Sequence, residues 1–206
     1  GHLIGDGCTL PSHAVQYTSR ELDLCETVVS LTKAVFGDRV TPRINPERQW
    51  YQVYLAATER LTHRKKNPIA AWLDELGVWG LRSYEKRIPT IIFEQPPDSI
   101  ACFLRHLWAT DGCIRPPSPS GKHPVIYYAT SSHLLGQGVQ ILLLKLGINA
   151  RLTKVSQGIK GRDQYHITVT GQPDLIRFIE SIGAIGDYKS RSLNQVAEAI
   201  KTQIEN

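Results

Sequence analysis

Methionine is absent from this chain, and cysteine is scarce. Each absence removes a class of explanation. With no initiating Met, and with Gly1 falling inside what reads as a motif, the chain is expected to be a fragment of something longer. The four cysteines, Cys8, Cys25, Cys102 and Cys113, contain no Cys-x-x-Cys pair. No histidine pair stands beside them at ligand spacing, so a zinc site is not expected. Each lies in an apolar or helix-end context, which reads as reduced thiols in a cytoplasmic protein. No run approaches the ~18 apolar residues of a membrane helix. Nor is there a signal peptide. The expected location is therefore the cytoplasm, with no membrane partner.

What remains is ample. The 206 residues are 41% hydrophobic, which suits one large domain or two packed halves. The net charge is +5 and the pI about 9.1. That modest excess favours a polyanionic partner, though an ordinary basic soluble protein carries as much.

Two stretches share one pattern. Leu104-Arg105-His106-Leu107-Trp108-Ala109-Thr110-Asp111-Gly112 reads as an apolar helix ending in acid and glycine. Gly1-His2-Leu3-Ile4-Gly5-Asp6-Gly7 reads as a clipped copy. The elements between and after them follow one order. After Asp6-Gly7 comes a strand at 15–18, a helix at 22–36 ended by Gly37, strands at 40–44 and 50–55, and a helix from Pro68 to Gly77. After a helix over 98–111 and a loop over 115–124 come a strand at 125–130, a helix capped by Ser131 or Ser132 and ended by Gly147, and strands at 150–155 and 165–169. A helix from Pro173 to near Gly183 and an amphipathic helix over 193–204 close the chain. Tyr17-Thr18-Ser19 aligns with Ala129-Thr130-Ser131. The expectation is an α+β fold built as a tandem pseudo-twofold duplication.

An acid and a lysine recur at nearly constant separation. Asp6 precedes Lys86 by 80 residues, and Asp111 precedes Lys189 by 78. Two acid-ended helices packed side by side, aided by small residues such as Gly1 and Gly5, would bring both carboxylates together. Such a pair repels unless a cation lies between them. Oxygen ligands without histidine or cysteine point to Mg²⁺, which keeps waters and bridges to phosphate. Metals flanking a phosphate suit in-line phosphodiester hydrolysis, and a nearby lysine can stabilise the developing charge. For either motif alone, Asp-Gly after a helix is more often a plain turn. The repeated spacing favours function.

These stretches resemble the two dodecapeptide motifs of LAGLIDADG homing endonucleases. Lys86-Arg87-Ile88-Pro89 is similar to the Lys-x-Ile-Pro motif of intein-encoded members, and Leu142 to Ile148 resembles another common stretch. The resemblance covers essentially the whole chain. It implies half-domains at 1–97 and 98–206, motif helices at their interface, and two antiparallel saddle sheets over double-stranded DNA. It implies a monomer embedded in an intein or other host protein. By that resemblance Asp6 and Asp111 are the catalytic metal-binding acids, with Gly5 and Thr110 beside them, and Lys86 and Lys189 are the catalytic lysines. Mg²⁺ is the implied cofactor, with Mn²⁺ as a substitute, and the implied reaction is a staggered double-strand break at a long target. The alternatives are a DNA- or RNA-binding module that has lost cleavage, as in a maturase or regulator, and an inert insert. No Cys or Ser opens the chain and no His-Asn pair precedes Asn206, so self-splicing is not expected of it.

Alternating side chains of the strands are the expected readers of base edges. In the first half these are Arg43, Asn45, Arg48, Gln49 and Gln52. In the second they are Arg151, Lys154, Gln157, Lys160, Arg162, Gln164 and His166. Arg115 and Lys122, with Arg64, Lys65 and Lys66, are expected to grip phosphates. Trp50, Trp72, Trp79 and Trp108 read as core, and Lys145 as a snorkelling surface residue.

Overall fold

The computed structural model describes residues 1–62, 65–118 and 123–205, without the side chains of 160 and 203–205. The chain divides into two compact units, residues 2–82 and residues 83–206 with Gly1.

The first unit opens with α1 (His2–Gly5) and β1 (Gly7–Cys8), then β2 (Gln16–Ser19) and α2 (Leu22–Phe36). It continues through β3 (Val40–Pro46), β4 (Tyr51–Ala57) and α3 (Pro68–Glu75). Its strands form an antiparallel sheet in the order β1-β2-β4-β3. Leu24, Cys25, Val28 and Thr32 of α2 recur at helical spacing, and all are buried. That stripe lies on β3 and β4, over Val53 and Leu55. Each large aliphatic side chain buried this way contributes about 1.5–3 kcal/mol. Asn67 starts α3: its Oδ1 accepts from the Ile69 amide at 2.8 Å and its Nδ2 donates to the Leu55 carbonyl at 2.7 Å.

The second unit begins with an extended strap and a 3-10 turn, Thr90–Glu94. Then come α4 (Pro97–Trp108), β5 (Gly112–Arg115), β6 (Val125–Thr130) and α5 (His133–Lys145). They are followed by β7 (Ala150–Val155), β8 (Gln164–Val169), α6 (Gln172–Arg177) and α7 (Asp187–Glu205). The sheet order, β5-β6-β8-β7, repeats that of the first unit. Ser132 caps α5, accepting from the Leu135 amide at 3.2 Å. Gly37 and Gly147 follow α2 and α5 at φ of 55° and 71°, where a side chain would be strained. The fold is thus α+β, with the two antiparallel sheets the duplication implies.

Several expectations need correction. Each sheet has a fourth strand, β1 or β5, that begins at the motif glycine; two to four residues carry no readable alternation. Gly7 faces Tyr17 and Gly112 faces Tyr128. Tyr17 therefore corresponds to Tyr128, so the two copies align one residue away from the expected match. Helix α4 stops at Trp108 rather than Asp111, and α7 starts at Asp187, six residues before Leu193. Of the four tryptophans only Trp108 is core, at 1% exposure, while Trp50 and Trp72 are exposed. Among the described residues no helix is long and apolar enough to cross a membrane. All four cysteines are free thiols.

Candidate active site and nucleic-acid interface

Each motif delivers its acid by the same local geometry. The Asp6 amide donates to the His2 carbonyl at 3.0 Å, and the Asp6 carbonyl accepts from Thr18 at 3.4 Å. In the second unit the Asp111 carbonyl accepts from Ala129 at 3.3 Å. The glycine that follows must lack a side chain. A Cβ on Gly7 would stand 2.5 Å from the Leu3 carbonyl oxygen, and one on Gly112 would run into the Trp108 ring. In both copies the colliding residue lies four positions earlier, one helical turn back. The acid is thereby held at the point where the helix turns into the strand.

Asp111 keeps one side open to solvent. Protein packed around its carboxylate desolvates it, and this raises its pKa above 3.8, while Lys86 and Lys189 pull the other way. Both lysines therefore act on this acid. The Lys86 carbonyl accepts from the Ser132 hydroxyl at 2.6 Å, which pins the strap beneath α5. Ile88, two residues on, is buried, and Gly138 of α5 leaves room for it. Lys189 Nζ donates to the carbonyls of Trp108, Ala109 and Thr110 at 2.7, 2.9 and 2.5 Å. The Thr110 hydroxyl turns back onto the Leu107 carbonyl at 2.5 Å.

The sheets each show one polar face. Residues paired across antiparallel strands share a face. In the first sheet Cys8, Gln16, Tyr54 and Arg43 form one rung, and Thr18, Gln52 and Asn45 the next. In the second, Cys113, Tyr127, Thr168 and Arg151 form the matching rung, followed by Ala129, His166 and Thr153. Arg115 and Gln164 share that face. Arg48 and Gln49 sit exposed at the bend between β3 and β4, and Gln157 is exposed beyond β7.

Comparison with known proteins places this arrangement. Residues 98–183 match the LAGLIDADG-like domain family. Replicative DNA helicase DnaB of Nostoc sp. is 60% identical over 206 residues, 100% of this chain and 23% of that helicase. The DnaB helicase of Synechocystis sp. is 61% identical over 204 residues, 99% of this chain and again 23% of the helicase. The chain thus spans about a quarter of the length of these two helicases. Among solved structures, the homing endonuclease I-DmoI in complex with DNA and Mn has a TM-score of 0.61 at 13% identity, over 89% of this chain and 93% of that one. I-DmoI has also been solved with DNA and Ca. That likeness speaks to the fold.

The described residues contain no group of three or more His, Cys, Asp or Glu able to hold a metal. The side-chain donor at Asp111 is one carboxylate, open on one side to solvent. That set does not fit a closed zinc-type site. It fits a hard cation that keeps waters and takes substrate phosphate as further ligands.

Not every expected contact residue faces the open side of its sheet. Lys154 pairs with Tyr165 on the helix-covered face and forms an ion pair with Asp163 at 2.6 Å. The Arg162 guanidinium lies 3.9 Å over the Tyr84 ring, which ties the β7–β8 hairpin to the strap carrying Lys86. Lys65 pairs with Glu59, and Lys66 with Asp74 at 2.5 Å. Arg64, Lys122 and the Lys160 side chain lie outside the described residues. Sequence reading missed Tyr127, whose ring stacks on His166 at 5.0 Å and 19°. Its pKa rises above 10.0, first through a hydrogen bond with the Cys113 thiol. The alternation of Val125 to Thr130 marks its face and was the available signal. Nothing in the sequence marked Ser132 as the residue that fixes Lys86.

Proposed function

We propose that this chain is the endonuclease element of an intein, and that it breaks both strands of a long DNA target by metal-dependent phosphodiester hydrolysis, leaving staggered ends. The observation that carries the reading is the convergence of Lys86 and Lys189 on Asp111 at the end of a motif helix. The full-length match to helicases four times longer fits an element embedded in a host protein. Asp6 and Asp111, the acids of the repeats 1–97 and 98–206, hold Mg²⁺, or Mn²⁺ in its place, beside Gly5 and Thr110. The bound cation supplies Lewis acidity and a more acidic water. Asp111 would hold the cation, and Lys86 offsets charge developing on the phosphate oxygens. Arg43, Asn45, Gln52, Arg151, Gln164 and His166 read base edges from the two open faces. Arg48, Gln49 and Arg115 hold backbone and register.

The test is a supercoiled plasmid carrying the uninterrupted helicase gene, incubated with the chain and Mg²⁺. One double-strand cut near the insertion point is expected, and Asp111→Asn should abolish it. Tight binding of that DNA with no cutting would instead favour a LAGLIDADG module that has lost cleavage.

A further inference from the structure

The two open sheet faces share a frame and differ in chemistry. Arg43 and Arg151 stand at the same place on the edge strands β3 and β7, and both are exposed. Their charge suits a phosphate-lined groove on either face. The positions inside that edge have diverged. Where the first sheet has Gln16, the second has Tyr127, and where the first has Tyr54, the second has Thr168. On the next rung Thr18, Gln52 and Asn45 are matched by Ala129, His166 and Thr153. Three amides on the first face thus give way to two aromatic rings and a threonine. The Tyr54 hydroxyl donates to Gln52 Oε1 at 3.3 Å, which turns that amide one way. On the second face the Tyr127 and His166 rings stack, 5.0 Å apart at 19°. Thr168 pairs beside Tyr127, and Ala129 and Thr153 pair beside His166. Gln164 lies one rung further out, against Val155.

We propose that the first sheet reads adenine, through the amides of Asn45 and Gln52, and that the second reads thymine, through the methyl groups of Ala129, Thr153 and Thr168. This rests on the DNA-cleaving reading above. In the major groove adenine shows an acceptor at N7 beside a donor at N6, and a side-chain amide meets both at once. Thymine is marked there by its methyl group, which small apolar groups contact. A methyl group withdrawn from water in this way is worth about fourfold in affinity. The shared arginine fixes a common register, and the divergent rungs assign a different base to each half of the target.

The experiment is equilibrium binding to a duplex spanning the insertion point in the helicase gene, with altered bases in one half-site at a time. Uracil in place of thymine removes only the methyl group. Deaza-adenine, in which carbon replaces N7, removes only that acceptor. Uracil in one half should weaken binding about tenfold, and deaza-adenine in the other half about tenfold, each with less than about a twofold effect in the opposite half. Thr153→Ser with Thr168→Ser deletes two methyl groups and keeps both hydroxyls. That chain should bind the unaltered duplex about tenfold more weakly and lose nothing further to uracil. Asn45→Ala with Gln52→Ala should be indifferent to deaza-adenine in the same manner. Equal sensitivity of both halves to uracil overturns the assignment, as does a serine variant that responds to uracil like wild type. A chain that binds with both base dependences and never cuts sinks the nuclease reading and upholds this one. A chain that cuts its target with neither dependence sinks this one alone.

Discussion

At the scale of single residues, the site holds a carboxylate against its preference. Burial raises the Asp111 pKa above its ordinary 3.8, so the folded chain holds that proton more tightly than the unfolded one. The stability this lends is fully present below pH 3.8 and is lost as pH rises through the folded-state value. Metal-free protein at neutral pH therefore carries a cost that Lys86 and Lys189 only partly offset, reduced by the solvent-open side of the residue. Asp111→Asn should melt about 2 °C higher than wild type without metal at pH 7. The gain should vanish below pH 3.8, and Mg²⁺ should raise the melting temperature of wild type only. Thermal scans across pH with and without Mg²⁺ test this, and a variant less stable at pH 7 would refute the sign. Ser132 works through two bonds, one capping α5 and one holding Lys86. Ser132→Ala should cost about 2 kcal/mol in urea unfolding and slow cleavage more than it weakens DNA binding. A variant with wild-type cleavage would separate Lys86 from its Ser132 anchor.

At the scale of elements, each motif works as helix, acid, glycine and strand in sequence. Gly112→Ala would place a methyl inside Trp108, a side chain packed against Tyr128 and Phe178 with ring centroids 5.5 and 5.0 Å away. A loss of about 3 kcal/mol or more is expected in urea unfolding, and a loss under 1 kcal/mol would mean that the turn has slack. Much of this architecture is written in periodic patterns. Helix α2 shows its buried stripe, β4 its alternation, Pro68 the start of α3 and the Ser131-Ser132 pair the start of α5. What escaped has physical reasons. Strands β1 and β5 are set by pairing to β2 and β6 rather than by their own residues. Helix α6 widens into a π turn over Phe178–Ile182 before Gly183, and so absorbs one residue that the matching turn at Gly77 lacks. Lys154 lies one position along β7 from the open rungs, and one position is the difference between the two faces of a strand. The acids and lysines of the candidate site were legible from spacing. That Lys86 packs with the second unit was not, because packing along the strap rather than chain order decides it.

At the scale of the whole molecule, the net charge of +5 matters less than where cations stand. Among the described residues, ion pairs engage Lys65, Lys66, Lys154 and Arg177, none of them on an open sheet face. Arg43 and Arg151 occupy the same rung of their respective sheets. A duplicated reader should treat a target as two halves, each read by its own sheet. Arg43→Ala and Arg151→Ala should each lower the salt slope of binding by about 1 if the side chain meets phosphate. If it meets a base edge, the slope should hold and discrimination fall by about 1–3 kcal/mol at one position. The duplication makes a sharper demand. Selection of cleavable targets from a randomised library should show relaxation confined to one half-site for Arg43→Ala and to the other for Arg151→Ala. Relaxation spread over both halves by either single substitution would mean that the sheets do not read independently. The repeat would then account for how the fold arose and not for how it recognises DNA.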